Sequence, residues 1–101
     1  MPFIAMNRFR IVPGREDEFV EMWRQRDSYL SNVPGFVEFH LLRGPTTDEH
    51  TLFASHTVWA SRAHFEDWTR SEAFRAAHAG AGQKRDLYLG PPQLELFDAV
   101  I

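Results

Sequence analysis

The order in which hydrophobic period changes along the chain constrains its fold more than any other feature. Residues 3–12 (FIAMNRFRIV) alternate apolar and polar with a period of two, the mark of a half-buried strand, and stop at Val12-Pro13-Gly14. The next stretch, GREDEFVEMWRQRDSYLSNV, switches to helical spacing. Phe19, Met22, Trp23, Arg26, Tyr29 and Leu30 share one stripe, acidic residues fill the first turn, and Pro34-Gly35 ends it. Residues 36–43 (FVEFHLLR) and 51–59 (TLFASHTVW) read as two strands of a hairpin around a Gly44-Pro45 turn and a polar TTDEH loop. Ser61 is placed to cap a helix reaching about Trp68, and Ser71 a second one ending near His78. A Gly/Pro-punctuated loop over 79–92 precedes a last strand, 93–100.

Strand, helix, strand, strand, helix, strand is the ferredoxin-like split βαβ order. The expected class is therefore α+β, an antiparallel sheet with helices on one face, in a single domain over residues 1–101. Ile4 and Met6 lie in phase on the other face, which then needs a cover. A second copy packed sheet to sheet is the economical one, giving a homodimeric α+β barrel.

Bulk properties exclude several functions. Net charge is −3 with no basic run, which argues against nucleic acid as a partner. No run of 18 apolar residues marks a membrane span, and MPFIAMNRFR lacks the pattern of a signal peptide, so the cytoplasm is the expected location. With no Cys there is no disulfide, thiol nucleophile or iron–sulfur ligand set. A chain of 101 residues is too small to hold its own flavin and nicotinamide sites, so electrons for any redox chemistry come from outside or from the substrate.

Three residues are chemically out of place. Asn7 interrupts the apolar face Phe3, Ala5, Phe9, Ile11. An amide buried there without a partner costs roughly 1–3 kcal/mol. Trp68 and His78 stand in the aromatic-rich segment SRAHFEDWTRSEAFRAAH. An amide, an indole and an imidazole converging on one pocket suit a flat, largely apolar ligand with a metal or reactive centre. Each also has a plain reading: Asn7 as a cap, Trp68 as core, His78 as a cation ending a helix. Trp23 and Trp59 read as core or interface. His40 and His56 read as structural, in positions suited to pairing across the hairpin; His50 and His64 read as solvated.

Three markers together resemble the antibiotic-biosynthesis-monooxygenase (ABM) fold, and within it the IsdG-like haem-degrading monooxygenases. They are FIAMNRFRI followed by VPG, then VPGFVEFHLLRG, then W-x-S-R-x-x-F-E-x-W-x-x-S-E-x-F-x-x-x-H from Trp59 to His78. The resemblance covers nearly the whole chain. It implies that haem b is both substrate and cofactor. His78 would be the iron ligand and Asn7 a distal hydrogen-bonding group toward the oxygen ligand. Trp68 would buckle the porphyrin. Molecular oxygen and an external reductase would open the ring to a linear tetrapyrrole and release iron. No C-x-x-C-H is present, so attachment would be non-covalent. Arg26 on the first helical stripe either snorkels to the edge or pairs with a haem propionate; Lys84 and Arg85 are alternatives for that pairing. Alternative functions are a cofactor-independent ABM oxygenase acting on aromatic polyketides or quinols, a haem chaperone without turnover, and a dimeric domain with no chemistry.

Overall fold

A computed structural model describes residues 1–25, 30–71, 74 and 85–101. Chain order is β1 (Phe3–Ile11), α1 (Glu16–Gln25), β2 (Phe36–Thr46), β3 (Thr51–Trp59), α2 (Arg62–Thr69), a 3-10 turn (Arg85–Leu87) and β4 (Gln93–Asp98). The strands form one antiparallel sheet in the order β2-β3-β1-β4. This is the expected ferredoxin-like α+β arrangement.

Register explains why both helices occupy one face. Phe3 pairs with Trp59 and Phe9 with Phe53, so the odd residues of β1 and β3 point the same way. Phe19 of α1 packs on Phe9 and Phe53, with ring centroids 5.6 and 4.9 Å apart. Phe65 of α2 packs on Phe3 and Trp59 at 5.4 and 6.2 Å. Two buried clusters result. Phe9, Ile11, Phe53 and Leu87 cluster with Phe19 of α1; Phe3, Ala5, Leu30 and Trp59 cluster against Phe65 and Trp68 of α2. Each large buried side chain contributes roughly 1.5–3 kcal/mol.

Polar contacts fix the helix starts. Ser61 caps α2 by accepting the His64 backbone N–H, worth about 1 kcal/mol. At the other helix, the buried Thr51 hydroxyl donates to Glu16 Oε2 at 2.7 Å and lies 2.9 Å from Thr46 Oγ1. The Thr51 hydrogen bond, helped by backbone N–H groups, holds the Glu16 carboxyl below its ordinary pKa.

Several expectations need correction. The first helix does not run to Pro34: Leu30–Gly35 form turns, with Val33 N donating to Leu30 O and Phe36 N to Val33 O. The residue before a proline disfavours the helical region, and Gly35 at φ +83° reverses the chain. Gly44-Pro45 does not end β2. The strand continues to Thr46 through a register shift between Arg43 and Thr46, tolerated because β2 is an edge strand where proline need not donate. The loop expected over 79–92 is pinned at its described end. Tyr88 bridges Ile11, Val12 N donates to Leu87 O, and Leu89 N to Arg10 O. β4 stops at Asp98 rather than 100. His64 is half-buried rather than freely solvated: its Nδ1 lies 2.7 Å from Ser61 Oγ and its ring covers Gly35. His40 and His56 do pair across the hairpin.

Among the described residues, no helix is long and apolar enough to cross a membrane. None of them form a group of three His, Cys, Asp or Glu able to hold a metal ion.

Candidate functional site

The two core clusters leave a gap between the sheet and the helices. It is a cavity of about 530 Å³, within the roughly 300–1,000 Å³ range of small-molecule sites. The sheet supplies its floor. Because Asn7 is the register partner of Ser55 on one side and Leu94 on the other, one transverse row crosses β3, β1 and β4 beneath the cavity. Thr57, two residues from Ser55 on the same face, extends the polar part of the floor. The row grades from buried to open: Ser55 is 8% exposed and Leu94 58%, so the mouth lies at the β4 edge.

Aromatic side chains form the walls. Trp23 of α1 stacks on Phe39 of β2 with centroids 5.7 Å apart and planes 21° apart. Opposite them stand Trp68 and Phe65 of α2, with Phe74 beyond the helix. Trp68 meets Phe74 edge-on at 4.8 Å and leans on Trp59 at 5.3 Å, so the indole is held by a rigid backing. Ser71 helps fix this wall: its hydroxyl donates to Trp68 O at 2.6 Å and accepts the Phe74 N–H at 3.1 Å. The second bond agrees with the capping role expected of Ser71.

Asn7 is the chemically exposed point of the floor. Its Oδ1 is buried and has no hydrogen-bond partner among the described residues. Leaving such a group unsatisfied costs roughly 1–3 kcal/mol. The described lining residues carry no carboxylate, imidazole or amine. Such side chains offer surface for contact and for excluding water, and no acid–base group.

The structure therefore brings Asn7 and Trp68 together in one cavity, from different elements. His78, Arg26 and Lys84 lie outside the described residues; Arg85 opens the 3-10 turn. Of the lining residues the sequence did not single out, two are instructive. Trp23 is a cavity wall as well as a core contact; a helical stripe does not distinguish a face that fills a core from one that borders a hollow. Ser55 is an ordinary residue for an alternating strand, and only the Asn7 register singles it out.

A family model for antibiotic biosynthesis monooxygenase matches residues 2–80. The chain belongs to this family. Within it, the chain is 32% identical over 80 residues to the heme oxygenase (mycobilin-producing) of Mycobacterium tuberculosis, covering 79% of this chain and 73% of that one. The solved structure of the M. tuberculosis heme-degrader MhuD, with two hemes bound in its active site, superposes with a TM-score of 0.74. It is 30% identical and covers 98% of this chain and 96% of that one. SnoaB, a cofactor-independent oxygenase from Streptomyces nogalater (N63A mutant), shares the fold at a TM-score of 0.72 and 23% identity, covering 99% and 94%. The fold is thus shared with a heme-degrader and, as a likeness of fold alone, with a cofactor-independent oxygenase.

Proposed function

We propose that this chain is a haem-degrading monooxygenase, taking haem b and molecular oxygen to a linear tetrapyrrole and free iron. One observation carries the reading: Asn7 on β1 and Trp68 on α2, far apart in sequence, border the same aromatic-walled cavity. Support also comes from the M. tuberculosis heme oxygenase at 32% identity. The cavity suits a flat macrocycle by volume, by its facing aromatic walls and by a buried amide oxygen that has no partner among the described residues.

When bound, haem supplies the redox-active iron and the ring to be opened, and an external reductase supplies electrons. The chain's own residues bind and orient. Trp68, backed by Trp59 and Phe74, presses a rigid indole on one side of the ligand. Asn7 offers an amide from the floor. His78 is the proposed iron ligand. In the sequence it follows Phe74, a wall residue, by four positions. Neutral imidazole is the commonest protein ligand for metals. Arg26, Lys84 and Arg85 are the proposed propionate partners in a chain of net charge −3, which needs local cations to hold a dianion. We assign the face opposite the helices to a second copy of the chain.

The test is a hemin titration followed by absorbance, then ascorbate or a reductase in air with catalase present. A saturable, shifted Soret band that decays while iron becomes chelatable is the expected result, and His78→Ala abolishes the decay. A stable band makes the protein a haem carrier. No band shift removes haem and turns the search to aromatic quinols.

A further inference from the structure

Two polar residues are buried among the described ones, Thr51 and Ser55. The Thr51 hydroxyl is engaged by Glu16 and Thr46. Ser55 borders the cavity and is 8% exposed as a residue, and no hydrogen bond joins its hydroxyl to a described residue. It stands directly across the β1–β3 pair from Asn7, whose Oδ1 is buried and has no partner among the described residues. Residues opposed in an antiparallel pair have Cβ atoms roughly 4.5–5.5 Å apart, so both side chains can reach one ligand atom.

We propose that Ser55 is a positioning residue of this site, acting with Asn7 as a two-point seat for one oxygen substituent of the bound molecule. A hydroxyl both donates and accepts, and an amide presents an acceptor at one end and donors at the other. A protonated ligand oxygen donates to Asn7 Oδ1 and accepts from Ser55 Oγ; an unprotonated one is met by the Ser55 hydroxyl and the turned amide. The surrounding walls are apolar, so this pair sets where along the floor an oxygen-bearing edge comes to rest. A ligand lacking that oxygen leaves the buried Asn7 Oδ1 unsatisfied and the Ser55 hydroxyl without a ligand partner, the situation that gives polar sites their discrimination. The inference rests on the cavity being the binding site and not on haem being its occupant.

The test compares 2-naphthol with naphthalene, two flat probes that differ by one hydroxyl, in ligand-detected NMR titrations of the whole chain. The wild type binds 2-naphthol more tightly. Ser55→Ala lowers 2-naphthol affinity roughly fivefold and leaves naphthalene unchanged, as expected for one lost hydrogen bond. Ser55→Thr, which keeps the hydroxyl, restores the difference. Asn7→Ala and Ser55→Ala together lose less than the two separate losses combined, because both groups meet one atom. An equal loss for both probes, no wild-type preference, or no binding of either probe overturns the proposal. Hemin titrated alongside separates the readings. A chain that ignores hemin but keeps the hydroxyl preference loses the haem function and keeps Ser55; the reverse result loses Ser55 alone.

Discussion

Asn7 and Gly35 show two ways in which one residue decides more than its size suggests. Asn7 is legible in the sequence because alternation makes a polar residue on an apolar face visible as an anomaly. Ser55, its partner across the sheet, is not, because small polar residues are common in strands and only the register gives this one meaning. Fixed groups aimed at charge developing on oxygen are worth a few kcal/mol. Asn7→Ala therefore keeps hemin binding and slows degradation about a hundredfold, read as the rate of Soret decay. Wild-type decay in that variant removes Asn7 from the reaction. Gly35 acts through backbone. At φ +83° its ideal Cβ would lie 2.2 Å from His64 Cγ, so Gly35→Ala suffers both strain and collision. The expected loss is about 1–3 kcal/mol, measured by urea unfolding. Adding His64→Ala relieves the collision and leaves the backbone strain.

Element boundaries were the less readable level, for physical reasons. The strand periods of β1 and β3 are strong and end within a residue of their expected limits. β2 outruns its expected end because a register shift absorbs Gly44 and Pro45, and no local pattern announces tolerance of proline at an edge. The stripe of the first helix continues past the helix itself: Leu30 is buried although its backbone forms a turn, so apolar spacing there reports burial rather than helix. The contact that ties α1 to β3 is more local. Thr51 Oγ1 donates to Glu16 Oε2 and depresses that carboxyl's pKa in the folded state. A group whose folded pKa lies below its unfolded one stabilises the fold above the unfolded value, and that contribution is lost as pH falls through the folded value. Thr51→Val removes the donor. Its stability deficit should be largest above the ordinary glutamate range and should narrow as pH falls through the depressed value, in urea unfolding across an acidic pH series. A deficit that is the same at every pH makes Thr51 a packing residue instead.

At the scale of the whole molecule, the sheet face away from the helices mixes polar and apolar groups in rows. One row runs His40, His56, Met6, Glu95; the next toward β1's start runs Glu38, Val58, Ile4, Phe97. Phe97 is 45% exposed and Leu42 on the same face 42%, while Arg8 pairs with Glu95 among them. Apolar side chains grouped on an open sheet face favour association, and a two-fold interface brings the same patch of both copies together. Sedimentation velocity of the wild type is therefore expected to give a species of twice the chain mass. Phe97→Glu introduces a charge beside Ile4 in each copy, so both copies bring it to the shared face, where it must be desolvated. That variant should sediment as a monomer. Leu89→Glu is the control: Leu89 is 43% exposed, similar to Phe97, but lies beyond the 3-10 turn and outside the four strands, so the dimer should persist. A monomeric wild type removes the second copy from this face. A dimer that survives Phe97→Glu but is lost in Leu89→Glu moves the interface to the segment beside the end of β1, next to the described end of the expected loop.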